Sequence, residues 1–206
     1  MKKNFIVQDA YFHKAKKEGY VARSVFKLEE IQEKFRLMKR GSRVLDLGCY
    51  PGSWLQFVLK TVGEKSVVVG CDLQSMDQVK AENLHTIQAD VFDEKTLERI
   101  QRIVPIFDVI LSDMAPKTSG IKDVDQYQSV LIGIQALNLA GKTLKQGGNM
   151  AVKIFMGADF QDFWGFFKKY FKQAKTYKPK AVRPGSYEVY AVGIGFEKDL
   201  FEEIEV

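Results

Sequence analysis

The stretch Val44-Leu45-Asp46-Leu47-Gly48-Cys49-Tyr50-Pro51-Gly52-Ser53-Trp54 constrains this chain most. An apolar run ends at Gly48, a turn bearing Gly and Pro follows, and a helical apolar pattern begins at Trp54, Phe57 and Val58. That order predicts strand, tight turn, helix. Glycine at both ends of the turn lets a ligand approach the backbone, because no Cβ stands in the way. In a doubly wound fold, such a turn lies at the carboxyl edge of a parallel sheet, where ligands bind. An ordinary βα turn without a ligand has the same local pattern, so the following strand matters.

That strand, Val67-Val68-Val69-Gly70-Cys71, ends in Asp72, about 20 residues beyond the glycines, the spacing that sets a carboxylate against a ribose. A carboxylate there accepts from ribose hydroxyls and repels a 2′-phosphate. The turn reads Gly-x-x-Pro-Gly rather than G-x-G-x-x-G, and Pro51 lacks a backbone donor that a pyrophosphate would take. An adenosine cofactor without phosphates therefore fits better than a dinucleotide, and S-adenosylmethionine is one.

From residue 43 onward strand and helix patterns alternate. Strands are predicted near 43–48, 66–72, 84–89, 107–112 and 148–154, and helices near 53–62, 94–103, 124–145 and 159–171. Alternation of this kind implies a parallel sheet with helices on both faces. The end differs: Lys175–Lys178 and Glu188–Gly195 read as two strands with no helix between them, which adds a last, antiparallel strand. The fold expected is α/β and Rossmann-like, with a mostly parallel seven-stranded sheet.

Ahead of this lie a basic, aromatic segment (Tyr11, Phe12, His13, Lys14, Lys16, Lys17, Tyr20) and a helix near 21–36 with the stripe Val25, Leu28, Ile31, Phe35. The segment is either a solvated arm or a phosphate-contacting surface, since Lys interleaved with rings suits nucleic acid. Lys27 reads as a solvated helix lysine. Residues 1–206 are expected to form one domain, with 1–40 as a basic segment and helix packed on it and 197–206 as an acidic, frayed tail.

The net charge of +5 is compatible with an anionic partner without requiring one. No apolar run approaches the roughly 18–20 residues of a membrane span. The basic start lacks an apolar core and a small-residue cleavage site, so a cytoplasmic protein, or at least one made without a cleaved secretory signal, is expected; it is also expected to be a monomer. Cys49 and Cys71 are expected to be reduced and half-buried, and with His13 and His85 the only histidines no zinc site is expected.

Three strand ends carry candidate chemistry. Asp113 follows Val109-Ile110-Leu111-Ser112, Lys153 ends Met150-Ala151-Val152 with apolar flanks, and Glu188 opens the last strand. Singly, Asp113 reads as a turn cap, Lys153 as a snorkelling lysine and Glu188 as a surface residue. Their convergence on one sheet edge points instead to a site.

Over about Asp9 to Gly195 the chain resembles the FtsJ-type RNA 2′-O-ribose methyltransferases. The resemblance is carried by Ala10–Tyr20, Phe26-Lys27-Leu28-Glu29-Glu30-Ile31, Asp46-Leu47-Gly48 with Pro51-Gly52, Ser112-Asp113-Met114-Ala115-Pro116, Val152-Lys153-Ile154-Phe155 and Glu188-Val189-Tyr190. It implies a catalytic tetrad of Lys27, Asp113, Lys153 and Glu188. It implies S-adenosylmethionine contacts at Gly52, Trp54, Asp72, Asp90 and Asp113, to which the neighbours Gly48, Pro51, Leu73 and Val91 are added. A core position is the alternative for Trp54. Cys49 and Tyr50 depart from the small residues the family has after the first glycine, which bears on the shape of the methionine pocket.

The implied reaction moves a methyl group to a ribose 2′-hydroxyl, with uridine of large-subunit (23S-type) ribosomal RNA the nearest match, and it requires that the RNA be held in line. Lys153 is the candidate proton acceptor, Asp113 its orienting partner, and Lys27 and Glu188 the ribose holders. Lys14, Lys16, Lys17 and Arg23 are the candidate RNA contacts, and a large ribosomal subunit particle is the candidate partner. Alternatives are methylation of tRNA or of mRNA caps, and a non-catalytic RNA-binding assembly factor. An NAD-dependent oxidoreductase is disfavoured by the missing glycine fingerprint.

Overall fold

The computed structural model describes residues 2–205, with side chains from Ala10 onward. Its elements run α1 (Lys2–Lys17), α2 (Val25–Phe35), β1 (Val44–Leu47), α3 (Ser53–Val62), β2 (Val68–Asp72), β3 (Leu84–Gln88) and α4 (Glu94–Ile103). Then come β4 (Phe107–Ser112), α5 (Lys122–Thr143), β5 (Leu144–Phe155), α6 (Phe160–Lys169), β6 (Phe171–Tyr177) and β7 (Glu188–Phe196). The strands form one seven-stranded sheet in the order β3-β2-β1-β4-β5-β7-β6. β7 lies antiparallel between β5 and β6, and the pairs from β3 to β5 are parallel. The expected α/β architecture, with its antiparallel last strand, is the observed one.

Alternation along the strands divides the core between two faces. Leu45, Leu47, Val69, Ile110, Val152 and Ala191 pack with Ile100 of α4, Leu137 of α5 and Phe163 of α6. Val44, Val68, Val109, Leu111, Ala151, Tyr190 and Val192 pack with Leu28 and Ile31 of α2 and Leu55, Val58 and Val62 of α3. Each buried Val, Leu or Ile side chain among these contributes about 1.5–3 kcal/mol relative to exposure. Helix α3 stops at Gly63, whose φ of 76° follows the last turn and whose N–H bonds the Leu59 carbonyl.

Two local expectations are corrected, and the N-terminal arm takes a definite form. The N-terminal arm is the helix α1, in which, among the described side chains, Ala15 is buried and the half-buried Tyr11 packs against the same cluster. β6 begins at Phe171, four residues ahead of the predicted strand, because Phe171 pairs with Phe196 at the end of β7. The acidic tail is docked rather than frayed. Asn138 of α5 donates to the Ile204 carbonyl (2.7 Å) and accepts from Ile204 N (3.0 Å), while Phe201 packs near Tyr170 with centroids 5.0 Å apart. Asn138 and Ile204 are 66 residues apart in sequence, beyond local pattern.

The β1–β4 junction makes the switch point. Chain order reverses there, so the loops after β1 and β4 leave in opposite directions and open a crevice at the carboxyl edge. Asp113 N bonds the Leu47 carbonyl at 3.1 Å, holding the two loop starts side by side.

Candidate active site

Strand register brings the polar groups together. Lys153 of β5 sits opposite Tyr190 of β7, and Glu188 lies two residues before Tyr190 on the same face. Lys27 enters from the first turn of α2, which packs on that face. Asp113 caps the end of β4, the strand next to β5.

Lys153 Nζ lies 3.1 Å from Asp113 Oδ1 and also donates to the Asp113 backbone carbonyl. Lys27 Nζ is 2.5 Å from Glu188 Oε1 and 4.0 Å from Asp113 Oδ1. Two ammonium groups thus face two carboxylates, and mutual pairing offsets the cost of withdrawing the charges from water. Lys153 is the most enclosed, its side chain 7% exposed against 16% for Lys27. Burial by itself would raise the Asp113 carboxyl, but the Lys153 and Lys27 ammonium groups and the Tyr190 hydroxyl outweigh it and hold Asp113 below the ordinary carboxylate range.

Tyr190 is the member of this cluster that sequence reasoning missed. Its fully buried hydroxyl donates to Asp113 Oδ1 at 2.6 Å and lies 3.1 Å from Glu188 Oε1. Burial first, then the two carboxylates, push that phenol well above its usual value, so it remains a donor. The available signal was period two: a strand that points Glu188 into the crevice points Tyr190 there too.

Beside the tetrad a cavity of about 350 Å³ is lined by Gly48, Tyr50, Asp72, Leu73, Asp90, Val91, Asp113 and Met114, among others. Its size is in the range of small-ligand sites. Asp72 Oδ2 accepts from Tyr50 N and Oδ1 from Gln74 N, both at 2.9 Å, which fixes the carboxylate and leaves each oxygen a further lone pair. Asp90 Oδ1 is held by Phe92 N at 3.0 Å. Gly48 has φ 75°, and a Cβ there would stand 2.8 Å from Met114 N, so the two loops can meet only across a glycine. The lining suits a nucleoside cofactor: two oriented carboxylate acceptors, a close-approach glycine and apolar walls.

Pro51, Gly52 and Trp54 do not line this cavity. Gly52 faces Val79 and Met76. Trp54 is a core residue, the alternative foreseen for it: Nε1 donates to the Ser24 carbonyl (2.9 Å) and the ring lies 5.9 Å from that of Tyr190. It backs the tetrad from behind. Periodicity identified a buried aromatic at α3, but not which side of the glycine turn it would fill.

The candidate RNA contacts divide. Lys16 and Lys17 are exposed on α1. Lys14 stands 3.8 Å from both Glu18 and Glu29 and 4.2 Å from the Phe26 ring centroid, so it also ties α1 to α2. Arg23 donates to the Ala181 carbonyl at 2.8 Å and lies over the Tyr11 ring, fastening the loop between β6 and β7 to the N-terminal region. Glu30 grips the same loop, accepting from Lys180 N (2.7 Å) and Ala181 N (2.9 Å).

Beneath the site lies a buried carboxyl that sequence reasoning did not flag. Asp46 of β1 is fully buried and neither side-chain oxygen has a hydrogen-bond partner among the described residues. Burial first, then Asp113 and Asp72, push it well above the usual range, which favours its protonated form. Cys49 and Cys71 are both free and buried; burial pushes the Cys71 thiol to about 12 and the Cys49 thiol further, so neither is a nucleophile here. Among the described residues no group of His, Cys, Asp or Glu is placed to hold a metal ion, and no helix is long and apolar enough to cross a membrane.

A sheet of this order, with a carboxylate-lined cavity at its switch point and a Lys/Asp/Lys/Glu cluster beside it, defines a methyltransferase of the Rossmann-like class. The chain belongs to the FtsJ-like methyltransferase family, whose model matches residues 20–196. It is 43% identical over 195 residues to ribosomal RNA large subunit methyltransferase E of Syntrophobacter fumaroxidans, covering 95% of this chain and 99% of that one. The protein of the same name from Desulfatibacillum aliphaticivorans is 47% identical over 186 residues, covering 90% and 89%. A crystal structure assigned as a ribosomal RNA methyltransferase of Plasmodium falciparum superposes with a TM-score of 0.76 at 28% identity, covering 86% of this chain and 98% of that one.

Proposed function

We propose that this enzyme transfers the methyl group of S-adenosylmethionine to a ribose 2′-hydroxyl of RNA, at a uridine of large-subunit ribosomal RNA. The observation that carries the reading is the pairing of Lys153 with Asp113 and of Lys27 with Glu188 at one sheet edge, beside the Asp72–Asp90 cavity. Relatives over nearly the full chain are named as large-subunit ribosomal RNA methyltransferases, which supports the substrate class.

S-adenosylmethionine, when bound, supplies an electrophilic methyl on a sulfonium. Asp72 takes the cofactor ribose with its free lone pairs, and Asp90 accepts from the adenine amino group with Val91 beside it. Lys153 acts as general base. Once its ammonium has released one proton to solvent, the Lys153 amine keeps two hydrogens and one lone pair; with the hydrogens given to the Asp113 carbonyl and Oδ1, the lone pair is left for the 2′-hydroxyl proton. Asp113 fixes the direction of that lone pair, and the Lys27–Glu188 pair holds the acceptor ribose, supplying the alignment on which the rate depends. Lys16 and Lys17, with Lys14 and Arg23, meet the RNA backbone. The enzyme acts as a cytoplasmic monomer on the large ribosomal subunit or its RNA.

The test is transfer of labelled methyl from S-adenosylmethionine to ribosomal RNA and to large subunits from cells lacking this gene, with the product mapped by nuclease-resistant dinucleotides. Label at a 2′-O-methyluridine supports the reading. Label only in tRNA or cap structures redirects it to those substrates, and binding without transfer leaves a non-catalytic assembly factor.

A further inference from the structure

Tyr187 directly precedes Glu188, the first residue of β7, and its ring, 49% exposed, lies on the side of the sheet where α5 begins. The backbone beneath it is fastened at three points. Met156 N donates to the Tyr187 carbonyl (2.9 Å), Glu188 N to Ser186 Oγ (3.2 Å) and Lys178 Nζ to the Ser186 carbonyl (2.7 Å). A large ring is therefore presented to solvent from a pinned position on the rim of the crevice. Lys122, the first residue of α5, stands with Nζ 4.5 Å from the ring centroid. Arg183 is exposed in the same loop.

We infer that Tyr187 is a stacking platform for the nucleobase adjoining the methylated nucleotide, with Lys122 holding the phosphate between them. The inference rests on RNA being the substrate. With the acceptor ribose at Glu188, the neighbouring nucleotide passes over the rim, where the exposed ring and the cation wait on the α5 side. An aromatic face accepts any base, and a pinned ring loses little freedom when it stacks. A lysine placed over the same ring offers a phosphate contact without leaving its site. Neither residue takes part in the tetrad or lines the cofactor cavity.

The probe is a fluorescein-labelled single-stranded RNA oligonucleotide followed by anisotropy across a salt series, with calorimetric S-adenosylmethionine affinity as the check that each variant is folded. Tyr187→Ala is expected to weaken RNA binding by roughly 5- to 150-fold with the salt slope unchanged, the worth of one base stack. Tyr187→Phe is expected to restore it, since the ring and not the hydroxyl is used. Lys122→Ala is expected to flatten the salt slope by about 0.7, one phosphate on a single strand. Wild-type enzyme that methylates RNA while Tyr187→Ala binds it equally well overturns the platform alone. Equal weakening by Tyr187→Ala and Tyr187→Phe overturns stacking as its mode. Wild-type enzyme that transfers no methyl to ribosomal RNA or large subunits overturns the underlying reading, and the platform with it.

Discussion

The Tyr190 hydroxyl donates to Asp113 Oδ1 at 2.6 Å, from a ring wholly enclosed between the sheet and Trp54. This bond makes the last strand a structural support of the carboxylate that orients Lys153. It also helps hold Asp113 below the ordinary range. A carboxylate depressed in the folded state stabilises the fold above its unfolded value, near 3.9, and that contribution is lost as pH falls through the lower folded value. Tyr190→Phe should move that loss to higher pH, and should cost about 1.5–3 kcal/mol at neutral pH, the worth of a hydrogen bond to a charged group. Urea unfolding of wild type and variant at about pH 3 to 7 checks both, and identical acid profiles would remove Tyr190 from the network.

Lys153 carries the sharpest catalytic expectation. Lys153→Ala should lower single-turnover methylation roughly 10²–10⁴-fold, the usual contribution of a general base, with cofactor affinity little changed. Lys153→Arg should be nearly as poor, because a guanidinium stays charged and accepts no proton. An arginine variant with near-normal single-turnover rate would leave Lys153 a positioning charge only.

Asp72 orders the cofactor cavity as well as lining it, since it binds Tyr50 N and Gln74 N. Asp72→Ala should weaken S-adenosylmethionine by about 1–3 kcal/mol, the cost of losing hydrogen bonds to a charged acceptor. Asp72→Asn, which keeps one acceptor oxygen, should lose less. Calorimetry on the folded variants decides, and unchanged affinity in the alanine form would take Asp72 out of the site.

Asp46 predicts a pH dependence of opposite sign. Its carboxyl is pushed upward by burial, so above about pH 4 the unfolded chain ionises while the folded chain does not. Stability therefore falls with rising pH, by up to about 1.4 kcal/mol per unit, until the folded carboxyl ionises. Asp46→Asn should remove that slope and gain stability relative to wild type as pH increases. Unfolding midpoints from about pH 5 to 8 test this; parallel curves would mean that Asp46 is solvated or paired.

RNA affinity should depend on salt through the N-terminal surface. Neutralising Lys16 and Lys17 together should flatten the slope of log affinity against log salt by about 0.7–0.9 for each phosphate that is no longer neutralised. Arg23 behaves differently, because it also bonds the Ala181 carbonyl, so its removal should lower stability as well as affinity. An unaltered slope in the double lysine variant would place the RNA elsewhere.

The chain order of strands and helices was legible because apolar runs ending in Gly or Asp announce the carboxyl edge of a parallel sheet without reference to anything distant. Asp72 ends β2, Asp113 follows β4, Lys153 lies near the end of β5 and Glu188 opens the antiparallel β7, so their gathering on one edge followed from topology. Residues whose roles depend on cross-strand register or on helix packing were not readable in this way. Tyr190 joins the tetrad because β7 pairs antiparallel with β5 at one particular register, and a one-residue slip would turn it to the other face. Trp54 packs behind the site because the residue ahead of α2, Ser24, presents its carbonyl to it. Asp46 lies in β1 between β2 and β4, fully buried, and neither of its oxygens has a partner among the described residues. Local sequence determined which polar groups end the strands; only the packed sheet decided which of them touch, since contact across strands is set by burial of whole faces and not by neighbours in the chain.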